Sequence, residues 1–578
     1  MSLYPKYSTL FVISCCAATI LSVEVDAQPA TFTIDGASDE LSRNIRSHVV
    51  IPNVDCAATQ RRLGRFTNGI NDRVIRAGRA LGYYNLVATV SFSIDSECWS
   101  LNIDIAPGDS IEISAVDVQI RQDSRLFTRV LDELPVAVGD QLNQANYERI
   151  KTNLSTRAIE VGFFSARFER AQLLVDLQSN LAAVAIDFDP GERYRFGAAQ
   201  IEPLESLSDD FIRRFVSFDE NAFYSSAALI ELRNSLSDSQ YFSDVTVTPA
   251  LESVQDGAVP VQIGLRVRPQ EAYSVGAGVT TDIGPRMSFN YENRYLNPNG
   301  HRVDVGARAS PIEQELDINY VIPWTKPATE NLRFSGGFLN EDNDSFENES
   351  LKLSSVYSFI NGSQWRQSIF TSFQHDDYLI NDENDVSDIL LAGVSLAKTR
   401  ADDALYPYRG WRLFGQVRGA SSDILSTETF LQFNLNGKLI TPLGTGRLLS
   451  RFEIGTTLAD EASNLPPTIL YFTGGDQSVR GYKYQSLGPE SEQGEVLGGK
   501  HQLVAGVEYD FNVSPNWKLA VFADAGNAFS SFDDFELKTS VGLGIRWLSP
   551  IGPIRVDLAS ALDDDNKLRL HIAMGPDL

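Results

Sequence analysis

The chain has 578 residues, 43% of them hydrophobic, a composition that belongs to folded proteins and excludes a disordered one. At ~150 residues per domain this length accommodates roughly four domains. Forty-nine Lys and Arg stand against 76 Asp and Glu, a net charge of −27. A surface that acidic repels phosphate backbones, so nucleic acid is not an expected partner.

The N-terminal residues read as a targeting segment. Lys6 supplies a short basic start, Leu10 to Val23 an apolar stretch, and Val25-Asp26-Ala27 the small residues of a cleavage site. Residues 1–27 are therefore expected to be a signal peptide, with Gln28 the first residue of the exported chain. The alternative, a membrane anchor, is disfavoured because the stretch falls short of ~20 residues and is broken by Ser14, Cys15 and Cys16. Two cysteines then remain, Cys56 and Cys98. In an oxidising compartment an isolated pair is expected to form a disulfide rather than a metal site, since no His accompanies it at a zinc-like spacing. Neither a metal nor a cofactor is expected.

Between Thr31 and Gln270 the chain repeats with a period of about 80 residues. One marker is a glycine followed by two aromatics: Gly82-Tyr83-Tyr84, then Gly162-Phe163-Phe164, with a weaker third copy at Gln240-Tyr241-Phe242. A second marker follows each: Ile103-Asp-Ile-Ala-Pro-Gly-Asp, Ile186-Asp-Phe-Asp-Pro-Gly-Glu and Leu265-Arg-Val-Arg-Pro-Gln-Glu. A helix is expected before each aromatic pair; in the second copy Tyr147, Ile150, Leu154 and Ile159 lie close to one face. The glycine ends that helix, the aromatics open a strand, and a further strand stops at the proline. Three α+β modules follow, over residues 28–109, 110–192 and 193–270. They serve either as spacers or as sheet edges that recruit extended strands by β-augmentation; spacing alone does not separate the two.

Composition changes near Ala272. Five of the six Trp lie beyond it, at 324, 365, 411, 517 and 547, and no apolar run is long enough for a transmembrane helix. Segments of about ten residues alternate instead. Leu503, Ala505, Val507, Tyr509 and Phe511 interleave with Gln502, Glu508, Asp510 and Asn512. Trp517, Leu519, Val521 and Ala523 interleave with Lys518 and Asp524, and Leu537 to Trp547 alternate with Lys538, Ser540 and Arg546. This is the pattern of strands with one face in lipid and the other in a wet lumen. Residues 271–578 are thus expected to form a transmembrane antiparallel β-barrel of about 16 strands. Asp- and Asn-rich stretches, Asn340 to Asn348 and Asp376 to Asp388, are expected to be surface loops. The competing reading is a large soluble β-sandwich; the signal peptide, the clustered aromatics and the strongly polar second face weigh against it.

Gly474-Gly-Asp-Gln-Ser-Val-Arg-Gly-Tyr482, Asp403-Ala-Leu-Tyr-Pro-Tyr-Arg-Gly-Trp411 and Phe522-Ala-Asp-Ala-Gly-Asn527 resemble motifs of the BamA/TamA superfamily of outer-membrane assembly and translocation proteins. The repeats resemble its POTRA (polypeptide-transport-associated) domains. Three repeats, Gly278-Val-Thr-Thr-Asp-Ile-Gly-Pro-Arg286 and the ending Met574-Gly-Pro-Asp-Leu578 are most like the TamA branch. The resemblance implies that Val479, Arg480, Gly481 and Tyr482 ride on a loop folded into the lumen. Arg480 would there meet the lumen-facing carboxylates of Asp524 and Glu508, which would otherwise leave a buried guanidinium unpaired. This contact is either a static latch or a moving switch. The resemblance also implies a weak seam between the first and last barrel strands, about Ala272 to Thr281 and Lys567 to Met574, where Gly276, Gly278 and Gly575 weaken pairing.

The function implied is that of the outer-membrane component of a translocation and assembly module. Its clients would be unfolded autotransporters and other outer-membrane proteins, and its setting outer-membrane lipid with the arm in the periplasm. Its partner would be a TamB-like, inner-membrane-anchored protein spanning the periplasm. The alternatives are a two-partner-type secretion pore and a general barrel-assembly factor. An enzyme is not expected: there are five His, and neither Gly-x-Ser-x-Gly nor His-Glu-x-x-His occurs.

Overall fold

The computed structural model describes residues 31–49, 69–94, 99–381, 383–460, 462, 464–550, 552–564, 568–575 and 577. The expected signal peptide (1–27) and both Cys56 and Cys98 lie outside them. The described chain forms two compact units, one of residues 31–194 with Phe223–Ser226, the other of the remainder.

The first unit holds two modules of the same design. In the first, β1 (Thr31–Asp35), α1 (Asp39–His48), α2 (Ile70–Ala80), β2 (Val87–Ile94) and β3 (Trp99–Ala106) form a sheet of order β1-β3-β2. β1 runs parallel and β2 antiparallel to the central β3. Ser38 starts α1 by accepting a hydrogen bond from the Leu41 amide. One face of each helix buries Leu41, Ile45, Val74 and Ala77 against Leu101 and Ile103 of the sheet. The second module repeats this with β4 (Glu112–Ile120), α3 (Thr128–Asp132), α4 (Gln144–Glu160), β5 (Arg167–Asp176) and β6 (Leu181–Asp189), in the order β4-β6-β5. Gly82 and Gly162 follow the helices with φ of +85° and +91°, the left-handed turn that ends each helix without a Cβ penalty.

The buried face of α4 is Tyr147, Ile150, Leu154 and Ala158. Ile159, expected near that face, is exposed. It sits five residues past Leu154, about 140° round a helix of 3.6 residues per turn, and Ala158 takes the inward position.

The second unit begins with a third module: β7 (Arg195–Ile201), α5 (Asp209–Arg213), α6 (Ser226–Asp238), β8 (Phe242–Pro249) and β9 (Ala258–Val267), order β7-β9-β8. Here Gln240 occupies the left-handed position, at φ +66°. Next comes a 16-stranded antiparallel sheet, β10 to β25, in which each strand pairs with its chain neighbours. The third module holds the turns at one end of this barrel. The Ser208 amide donates to Pro298 O (2.9 Å), the Tyr241 hydroxyl to Gly300 O (2.6 Å) and Arg214 Nη2 to Pro323 O (2.6 Å). Burial pushes the Tyr241 hydroxyl pKa up to about 12, so it remains a donor there. These contacts define the arm side of the barrel.

Alternation along the strands sorts their side chains. Val275, Phe289, Ile318, Leu353, Ile369, Leu435, Val521 and Leu543 are exposed on the outer face. A band of such residues is stable only in lipid. The five barrel tryptophans all stand at arm-side strand ends, where Trp365 meets Trp411 (6.1 Å between ring centres) and Trp517 stacks on Trp547 (5.8 Å). This places an aromatic girdle at one membrane interface. No helix among the described residues is long and apolar enough to cross a membrane.

The expected acidic loops are instead the upper parts of long strands. Glu330–Asp342 pairs with Glu347–Ile360, and Arg366–Ile380 with Glu383–Ala401, through short turns. Asp376 is fully buried, accepting from Gln374 and Thr468, because period-two alternation carries it inward where polar partners wait.

Leu154→Ala is expected to destabilise the second module by about 2–5 kcal/mol, the usual range for a buried leucine. Ile159→Ala should cost less than about 0.5 kcal/mol. Pulse proteolysis of the arm in urea distinguishes them, and equal losses would contradict the burial of this helix.

Candidate functional site

Between β20 (Gly446–Leu458) and β21 (His501–Ser514) runs a connection of residues 459–500. It is far longer than a hairpin needs, and it folds into the barrel. Its conformation depends on what the inner wall offers. β21, β22 (Trp517–Phe529), β23 (Lys538–Ser549) and β24 (Gly552–Ala561) turn Glu508, Asp524, Arg546 and Asp557 inward.

Arg480 reaches these groups from the connection. Its Nε and Nη2 bind both oxygens of Asp524 (2.6 and 3.1 Å), while Nη1 donates to Glu508 (2.7 Å) and Asp557 (3.1 Å). The guanidinium also lies 3.4 Å over the Phe522 ring. Arg546 holds Glu508 from the other side (2.8 Å) and pairs with Asp557; Arg451 on β20 holds Asp524 (3.0 Å) and binds the carbonyls of Gln477 and Ser478. Three guanidiniums thus face three carboxylates, so the buried charge is balanced.

The flanking motif residues close the joint. Val479 and Tyr482 are buried with Leu487, Val504 and Ala561. The Tyr482 hydroxyl donates to Thr539 O (3.2 Å) and faces Asp563. Gly481 has φ +96°, and a Cβ there would sit 3.0 Å from the Ala561 amide nitrogen, so this position requires glycine. Its amide donates to His571 Nε2 (2.9 Å) on β25 (Arg569–Met574), and Asp282, past the end of β10 (Glu271–Thr280), accepts the Asp476 amide (2.6 Å). The connection therefore touches one edge strand, β25, and the turn that follows the other, β10.

Those edges are where the barrel fails to close. Among the described residues β10 and β25 form no ladder. They meet where the Thr281 amide donates to Ile572 O (3.3 Å) and the Ile572 amide to Thr281 Oγ1 (3.1 Å). Gly276 and Gly278 lie within β10, on the face shared with Ser288 and Arg286 of the next strand. Gly575 has φ +145°, just past β25, and Asp577 then lies in the lumen. There Arg447 binds Asp577 (2.7 Å) and Asp510 (2.8 Å), and Tyr406, from the Asp403–Trp411 stretch, stacks 3.4 Å from the same guanidinium while donating to Asp510.

Sequence reading paired Arg480 with Glu508 and Asp524 only. Arg546 and Asp557 have the same inward parity, and that alternation was the available signal. Asp577 and His571 had none, since their roles depend on how the sheet ends meet. The structure does not bear on a Cys56–Cys98 bond, because neither residue is among those described.

A 16-stranded barrel with an apolar outer face, preceded by α+β modules and holding an arginine-latched internal loop, is the architecture of an outer-membrane β-barrel protein. Residues 296–577 match the Omp85 superfamily domain, and residues 31–107 match the first POTRA domain of TamA. Residues 296–577, which include most of the barrel, are thus an Omp85 superfamily domain. It is 22% identical over 392 residues to the outer membrane protein assembly factor BamA of Nitratidesulfovibrio vulgaris, covering 64% of this chain and 49% of that one. It is 23% identical over 377 residues to the chloroplastic outer envelope protein 80 of Arabidopsis thaliana, covering 57% and 49%. The chain thus spans about half the length of these curated relatives. The solved BamA of Haemophilus ducreyi lacking POTRA domains 1–3 superposes with a TM-score of 0.67 at 15% identity, over 80% of this chain and 99% of that one, which shows a shared fold.

Arg480→Ala leaves three carboxylates facing two guanidiniums, and is expected to cost about 3–5 kcal/mol at the latch. The measurement is limited proteolysis of the 459–500 segment in the folded barrel. Faster cleavage in the variant is expected; an unchanged cleavage rate would mean that the latch does not hold the segment.

Proposed function

We propose that the protein is the outer-membrane component of a translocation and assembly module, helping autotransporters and other outer-membrane proteins to insert or be secreted. The observation that carries this reading is the unladdered edge of β10. A barrel normally removes strand edges altogether, and an edge left without a partner in a membrane is a template for another strand. An unfolded client strand has the matching backbone donors and acceptors, and pairing would satisfy both.

Gly276, Gly278 and Gly575 act in this reading as the weak positions of the seam. Arg480 with Asp524, Glu508 and Asp557 keeps the internal loop against the wall beside it, as a latch. The match of residues 31–107 to a TamA-type POTRA domain supports the TamA branch, and with it a TamB-like partner anchored in the inner membrane. The sheet edges of the POTRA modules, β2 and β5 among them, are sites where that partner or a client strand would add.

Two experiments test the proposal. Depletion is expected to remove autotransporters and a few barrels selectively from the outer membrane proteome. Loss of one secreted protein alone would indicate a dedicated two-partner-type pore, and loss of all barrels a general assembly factor. Cysteines at Thr281 and Ile572, oxidised across the seam, should abolish assembly of the affected clients, with reduction restoring it. Full activity with the seam locked would sink the templating mechanism.

A further inference from the structure

The lumen is charged unequally. On β20 to β24 the inward guanidiniums of Arg447, Arg451 and Arg546 each bind carboxylates. The preceding strands, from Glu330–Asp342 to Phe430–Leu443, turn Arg333, Lys352, Arg366, Arg412 and Lys438 inward, and among the described residues none of these has a hydrogen-bond or ion-pair partner. Arg418 on the same wall binds only neutral groups, Gln432 Oε1 (2.6 Å) and Thr468 O.

Carboxylates stand near some of them without ion-pair contact: Asp317 lies by Arg333 and Asp376 by Lys352, while Asp577 is bound by Arg447. Glu453, near Lys438, is a single acid beside several cations. Arg412 and Lys438 stand directly opposite each other in the ladder, an arrangement of like charges that destabilises a sheet unless something neutralises it. In a chain whose net charge is −27, this excess of cations is not a consequence of composition.

The cations form a track. Through the strand register, Arg366 stands two residues further from the arm side than Arg412 and Lys438, Arg333 and Arg418 four beyond that, and Lys352 another four. Ten residues of strand rise correspond to about 33 Å. A single phosphate cannot span that distance, whereas an extended chain bearing carboxylates at intervals can. The far end is covered by the internal connection, where Thr468 bridges Arg418 and Asp376. A ligand entering from the arm side would therefore be held rather than passed through.

We propose that this wall of the lumen docks an acidic, extended polypeptide segment entering from the arm side. The wall runs from the strands across the lumen up to Lys438, which is paired in register with Arg451 of the latch, and the inference does not depend on the assembly role proposed above. Field focusing in a narrow lumen would strengthen attraction for such a segment over that at an open surface.

The test uses the full-length protein in lipid nanodiscs and a fluorescent 20-residue poly-glutamate peptide, followed by anisotropy. Binding is expected, falling on the order of tenfold or more between 0.05 and 0.5 M salt, as a multi-charge contact requires. Arg333→Gln, Arg366→Gln and Lys438→Gln together should weaken it by on the order of tenfold or more. Each single variant should act partially, and heat-modifiable gel mobility should show the barrel still folded. Binding that survives the triple variant in a folded barrel would overturn the proposal. Displacement by inorganic phosphate or by anionic lipid at matched charge would also overturn it, identifying a small anion or a headgroup as the occupant. If the triple variant does not fold, the single variants decide: undiminished peptide binding by all three would overturn the proposal in the same way.

Discussion

The structure depends on placing one arginine inside a membrane-spanning barrel without leaving its charge unpaired. A guanidinium out of water is costly unless its geometry with partners is excellent and its remaining donors are satisfied. Arg480 meets both conditions through Asp524, Glu508 and Asp557, and the balance holds only because Arg546 and Arg451 offset the carboxylates it shares. Five wall strands and the internal connection must be in register for this to occur. The network therefore sets the path of the connection, brings Gly481 to β25 and fixes Asp476 near the end of β10.

The second governing constraint is backbone hydrogen bonding in lipid. Fifteen neighbouring pairs of strands in the 16-stranded sheet meet it by laddering. The β10–β25 junction does not, and the chain after β25 turns inward to Arg447 instead of continuing along β10. The energetic deficit is thus confined to one seam, and that seam is touched by the latched connection. Any change in the latch is mechanically close to the open edge.

Charge is distributed by position rather than by average. The whole chain is acidic, the wall beneath the latch is neutralised pair by pair, and the strands before it retain cations with no ion-pair partner among the described residues. Composition reports only the first of these. The other two depend on which strand faces which across the lumen.

The class of fold was legible in the sequence, because the signals involved are local. Period-two alternation, glycine-aromatic repeats and the absence of a long apolar run are properties of neighbouring residues, and they led to three α+β modules followed by a barrel of about 16 strands. The same alternation assigned Glu508 and Asp524 to the polar face. Local signals failed where a one-position shift mattered, as at Ile159 and Ala158, and where long strands outran the membrane, as at Asp376. Tertiary structure alone decided that Asp557 and Arg546 join Arg480, that Asp577 reaches Arg447, and that the first and last strands barely pair. Those residues are far apart in the chain, and only closure of the sheet, with its stagger and register, brings them within hydrogen-bonding distance.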